Sequence, residues 1–353
     1  MKSQKITILL AIITSIMALP QLSRAGEWVS GTASTDFGSR HYKLWVPSEL
    51  DKRKPVPLVM MLHGCTQKPE DLATVSGMNQ IADRNNFLVV YPEQTSEANP
   101  LRCWNWFDPK HQSRDAGEPA LLAAIVRQVQ MSNSIDGNRV YVAGISAGAA
   151  MAVVMGVTYP DLFNGIGLCA GLEYKAGTSV DTGLLAMKQG GPDPKQQGSI
   201  AFQAIAENLH GKSKRRMPLI VFQGDADPYV NPLNAEQVIN QWARTNDHLD
   251  DARENDSARN QPTSTIEGSV PGGHEFTKSV YTDRTGRLLM EKWMVKGLGH
   301  AWSGSPTAGP FADPKGPNAS LAMWRFFTET TLKRARTKDR SKGKAGPARE
   351  KAQ

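Results

Sequence analysis

Cysteine is scarce in this chain: Cys65, Cys103 and Cys169 are the only three among 353 residues. There is no CxxC pair and no His/Cys group at ligand spacing, so neither a zinc site nor a disulfide-built scaffold is expected. Internal repeats are absent, which argues against solenoids and propellers. Beyond the first segment, no apolar run is long enough to cross a bilayer, so no membrane span is expected. The chain up to Leu332 also lacks net charge. Between Lys333 and Lys351 nine Lys or Arg face only Asp339 and Glu350, and that +7 equals the total for the whole chain. The high pI therefore describes the tail, and nucleic acid is not an expected partner of the folded part.

What is present is ordinary globular material, 40% hydrophobic and 21% charged, enough for a large core. At the start, Lys2 and Lys5 precede an uncharged apolar run over residues 6–19, then Pro20 and the small residues Ser23 and Ala25. This is the pattern of an export signal cut near Ala25, with no cysteine there to take a lipid. Secretion follows, to the periplasm or the exterior. Residues 26–332 are expected to fold. Residues 333–353 read as a basic disordered tail able to contact anionic surfaces.

Apolar runs alternate with helix-period segments. Residues 41–47 ("HYKLWVP") alternate like an early edge strand, and "VPLVMMLHG" and "FLVVYPE" read as buried strands. "DLATVSGMNQIADRNN" reads as one helix. In "RDAGEPALLAAIVRQVQ", Asp115 followed by Glu118 suggests a capped helix start. "NRVYVAGI", "GIGLCAG", "MPLIVFQG" and "LLMEKWMVKG" continue the strands, and "NASLAMWRFFTETTL" closes with a helix. The fold class is α/β, a mostly parallel sheet with helices on both faces. Residues 172–216 interrupt it as a possible small cap, and residues 246–273 as a polar surface insertion.

Gly144-Ile145-Ser146-Ala147-Gly148 is a G-x-S-x-G turn between a strand and a helix. Small neighbours permit the strained backbone that lifts a serine hydroxyl above the sheet. Such a serine needs a base, and the base needs an orienting acid, in the chain order Ser, acid, His. Of His210, His248, His274 and His300, only His300 ("VKGLGHAWSG") follows a strand end in a glycine-flanked loop. Asp225 and Asp227 both follow the strand "MPLIVFQG", and spacing alone does not choose between them. For an oxyanion, the N–H groups of Ala147 and of Cys65 are the candidates, with Thr66 second. His63 reads as a structural hydrogen-bonder.

With these pieces placed, the sequence resembles the secreted polyhydroxybutyrate depolymerase-like esterases, whose relatives include feruloyl and acetylxylan esterases. The blocks that carry the resemblance are "LHGCTQ", "FLVVYPEQ", "CWNWFDPKHQSRDAGEP", "RVYVAGISAGAAM", "YPDLFNGIGLCAGLEY", "MPLIVFQGDADPYVNPLNAEQVINQW" and "GLGHAWSG". The resemblance implies an α/β-hydrolase fold. It also implies Asp227 as the acid, through G-x-x-D-x-x-V at Gly224, Asp227 and Val230, and a Cys65–Cys103 disulfide that leaves Cys169 as the odd thiol. Trp104, Trp106 and Trp302 flank the matching blocks and are candidates to line a substrate groove. The expected chemistry is hydrolysis of carboxylic esters, oligomeric or polymeric, with no metal or organic cofactor. An acyltransferase on the same scaffold, or a secreted polymer-binding protein with a vestigial triad, are the alternatives.

Overall fold

The computed structural model describes residues 26–209 and 215–342, with backbone alone for 332–342. The export signal, its cut near Ala25, His210 and residues 343–353 lie outside them. The described chain opens with a hairpin of β1 (Glu27–Thr35) and β2 (Gly38–Val46), which turns through Asp36 and Phe37. Then follow β3 (Val56–Leu62), α1 (Pro69–Ser76), α2 (Met78–Asn85), β4 (Leu88–Pro92), α3 (Gly117–Ser132), β5 (Ile135–Ile145), α4 (Ala147–Thr158) and β6 (Ile166–Cys169). Two further helices, α5 (Val180–Gln189) and α6 (Pro194–Asn208), come before β7 (Leu219–Gly224) and α7 (Leu233–Asp251). The chain ends with β8 (Ser264–Ser269), β9 (Glu275–Thr282), β10 (Leu288–Val295), the short pair β11 (Trp302–Ser303) and β12 (Ala312–Asp313), and α8 (Ala319–Lys342).

Ten strands form one sheet in the order β1-β2-β4-β3-β5-β6-β7-β10-β9-β8. The six from β4 to β10 run parallel, and antiparallel hairpins flank them on both sides. The continuous apolar run of β3 is a consequence of burial on two faces. Leu58, Met60 and Leu62 pack in the core with α3, α4 and α7, while Val59 and Met61 face the core shared with α1, α2 and α8. Adjacent β5 divides in the same way, Val140 and Val142 to one side, Tyr141 and Ala143 to the other. Parallel strands buried on both faces end in loops along one edge, where open α/β sheets place their ligands. Among the described residues, no helix is long and apolar enough to cross a membrane.

Several local expectations are corrected. The strand over residues 41–47 is not the edge, because β1 covers it. The single helix expected before β4 breaks at Gly77, whose left-handed φ of +61° ends α1 and begins α2. Asp115 and Glu118 do not cap α3: its N-cap is Ala116, without a side-chain cap bond. Glu118 is buried and turned to another task, described below.

The segment 246–273 is only partly a surface excursion. Its first residues continue α7 and are buried, with Asn246 bonded to both backbone groups of Met217 (2.8 and 3.1 Å). Its later residues form β8, which extends the sheet through β9. Residues 172–216 do contain a helical pair, α5 and α6, and α6 packs on α7. The last helix continues past Leu332 to Lys342, through part of the stretch expected to lack structure. Its Lys and Arg residues are adequate helix formers once a helix has been started.

Candidate active site

Ser146 stands between the end of β5 and the first turn of α4, with φ 57° and ψ −125°. A non-glycine residue at positive φ costs about 1–3 kcal/mol, and such strain gathers at functional positions. The surroundings leave no room for larger neighbours. A Cβ on Gly144 would stand 2.5 Å from the Gly148 backbone, and one on Gly148 would run into the carbonyl of Leu62. The Ser146 N–H donates to the Cys169 carbonyl at 2.9 Å, fixing the turn to β6.

His300 enters from the loop after β10, and its Nδ1 lies 2.7 Å from Asp227 Oδ2. A carboxylate can only accept, so Nδ1 carries the proton and Nε2 is left as the acceptor. Asp227 is held by three further donors: the backbone N–H groups of Tyr229 and Val230, both at 2.9 Å, and Gln223 Nε2 at 3.2 Å. Burial by itself would raise the Asp227 pKa. The bonds from His300 and the backbone outweigh it and hold the carboxyl below its ordinary value. Asp225 is used differently: it accepts from the Gly297 N–H and so ties the loop after β7 to the loop after β10.

The loop after β3 brings Cys65 beside the serine. Thr66, at φ +66°, donates its N–H to the Leu101 carbonyl at 2.6 Å. The N–H groups of Cys65 and Ala147 have no acceptor among the described residues. Behind this loop His63 is fully buried, its Nδ1 donating to the Gly64 carbonyl and its Nε2 accepting from the Gln94 N–H. Burial lowers its pKa to about 4, so it stays neutral as a strut. Cys65 and Cys103 form a disulfide, and Cys169 is free and buried.

Glu118 anchors the far side of this loop. Its carboxylate accepts from Gln94 Nε2 at 2.5 Å and from the Asn105 N–H and Nδ2 at 2.8 and 2.6 Å. The segment carrying Cys103 is thus organised by a residue that the sequence presents as a helix cap.

Two apolar cavities reach Ser146. One, of about 280 Å³, is bordered by Thr66, Tyr229, His300 and Phe311. The other, of about 210 Å³, is bordered by Ala147, Trp106, Phe107, Leu172 and Leu184. Of the three tryptophans, Trp106 borders one of these two cavities and the other two border neither. Trp104 is fully buried and donates to the His63 carbonyl at 3.1 Å. Trp302 is fully buried and donates to Ser320 Oγ at 3.1 Å. Both are core residues, a correction that follows from their packing behind the loops. Leu101, Phe107, Met187, Tyr229 and Phe311 border the cavities without having stood out in sequence.

Residues 40–263 match the family model described as Esterase PHB depolymerase. Poly(3-hydroxyalkanoate) depolymerase C of Paucimonas lemoignei is 33% identical over 304 residues, which take in 86% of this chain and 66% of that protein. Feruloyl esterase B of Thermothelomyces thermophilus is 26% identical over 75% of this chain and 86% of its own length. Among solved structures, the acetyl xylan esterase from Aspergillus awamori superposes with a TM-score of 0.61 at 22% identity, covering 78% of this chain and 94% of that one. At that identity the likeness speaks for the fold. The chain therefore belongs to the Esterase PHB depolymerase family and has the α/β-hydrolase fold.

Proposed function

We propose that this chain is an exported serine esterase that cleaves carboxylic esters through an acyl-enzyme on Ser146. The hydroxyl of Ser146 attacks the ester carbonyl while His300 Nε2 takes its proton. Asp227 keeps the imidazole in the tautomer that can accept, and stabilises the imidazolium once formed. The N–H groups of Ala147 and Cys65 hold the developing oxyanion. His300 returns the proton to the leaving alcohol, then activates water to release the acid.

One observation carries this reading: a serine in strained backbone and an imidazole held by a buried carboxylate border the same cavity. The disulfide supports an oxidising compartment and hence export. Poly(3-hydroxyalkanoate), feruloyl esters and acetylxylan are the substrate classes to which the relatives' names point.

Ser146→Ala is the test. Its hydrolysis of a chromogenic butyrate ester should fall by about a million-fold, as for removal of a nucleophile elsewhere. Retention of more than a tenth of wild-type turnover would refute the assignment.

A further inference from the structure

The two cavities at Ser146 differ in one respect that matters to an ester. Cys65, Leu101 and Met187 border both, whereas His300 borders only one. An imidazole that has taken the serine proton must pass it to the oxygen that leaves. The alcohol half of the ester, and later the attacking water, therefore belong on the His300 side. The acyl half is left with the cavity beneath α5.

We propose that this second cavity is the acyl subsite, that Gly183 sets its length, and that the chain prefers esters of apolar acids of about four to six carbons. The proposal rests on the ester hydrolysis proposed above and assigns its acid specificity. At about 30 Å³ per water-sized group, a cavity of about 210 Å³ accommodates roughly seven non-hydrogen atoms. An acetyl group would leave most of that space empty, and a feruloyl group would overfill it. No charged side chain is among its lining residues, so an acid with a second charge would be desolvated without a partner.

Gly183 lines the cavity where α5 comes close to Phe107 and Trp106. A Cβ there would stand 2.9 Å from Phe107 Cβ and 3.3 Å from Trp106 Cη2. The rings of Trp106 and Phe107 meet edge to face, 5.5 Å apart, and leave little freedom to retreat. A glycine inside a helix lowers its stability relative to alanine, and here its use is close approach. A larger residue would shorten the cavity or lift α5 away from Phe107.

The experiment measures kcat/KM along two series, p-nitrophenyl acetate to decanoate, and butyrate esters of alcohols of rising size. Wild-type protein should peak at butyrate to hexanoate. Gly183→Val should lower the hexanoate-to-acetate ratio by about tenfold or more, the scale of methylene discrimination in an apolar pocket. Phe107→Ala should shift the optimum to longer acids, and neither variant should reorder the alcohol series. Where valine disturbs the fold, as seen by circular dichroism, Gly183→Ala tests the same contact with a better helix former. A wild-type protein inert on every ester would overturn the hydrolase reading and this proposal together. An active wild type whose acyl preference is the same in all variants, or whose alcohol preference moves instead, would overturn the subsite alone.

Discussion

Replacing Asp227 by Asn keeps the shape of the side chain and removes its charge, and the surrounding donors decide the outcome. Oδ1 receives two backbone N–H groups, from Tyr229 and Val230, while Oδ2 receives Gln223 Nε2 and His300 Nδ1. An asparagine has one oxygen to offer. Placed toward the two backbone donors, that oxygen leaves the NH₂ group facing His300. The imidazole must then accept at Nδ1 and carry its proton on Nε2, where it cannot take one from Ser146. The opposite orientation sets the NH₂ group against two backbone N–H donors, at a cost of about 1–3 kcal/mol for each unsatisfied group. That cost makes the first orientation the favoured one, and in it the productive tautomer is lost. The expected loss in kcat is about ten-thousand-fold, or on the order of 5 kcal/mol in the barrier. Turnover of a p-nitrophenyl ester, measured beside a thermal melt to show that the variant is folded, gives the answer. A folded Asp227→Asn protein with less than a tenfold loss would refute the tautomer argument.

Other consequences concern stability. Trp302→Ala should cost about 3–5 kcal/mol in urea unfolding, because a fully buried indole and its bond to Ser320 are removed; native stability in the variant would contradict its core placement. Replacing both Cys65 and Cys103 by Ser opens a loop spanning 38 positions and should cost about 4 kcal/mol by chain entropy; an unchanged denaturation midpoint would contradict this. Glu173 is buried with neither carboxyl oxygen partnered among the described residues, and burial, helped by the charge of Asp193, raises its pKa from 4.5 to about 8. The folded state holds that proton over an interval in which the unfolded chain has released it, so stability should fall as pH rises from 4.5 to about 8. Glu173→Gln has no such proton to lose, and its melting temperature relative to wild type should climb across that interval. A constant difference would show that the group does not titrate there.

The sequence carried the elements whose burial leaves a pattern. Strand β3 was legible because two-sided burial makes an unbroken apolar run, and the serine turn because close backbone contact allows only small residues beside it. His300 and the Asp225–Asp227 pair were legible as polar groups at strand ends, yet choosing Asp227 required the resemblance to known esterases. Strands β8 and β9 were not legible, since a half-exposed hairpin at the sheet edge mixes polar and apolar residues without a clear period. Glu118 misled because a carboxylate three positions after an aspartate looks like a helix start, whatever it binds. The tryptophans show the limit most plainly. Trp104, Trp106 and Trp302 have the same chemistry in sequence, and only packing separates the one at the cavity from the two in the core. Leu101, Met187 and Phe107 were silent because apolar lining carries no motif.

The claim on which the account depends is that Ser146 is the nucleophile. Incubation with a fluorophosphonate, followed by proteolysis and mass analysis, addresses it directly. A single phosphonylated peptide containing Ser146 is expected, and an unlabelled Ser146→Ala protein without esterase activity. An unmodified Ser146 in protein that still hydrolyses esters, or label on a different residue, would contradict it.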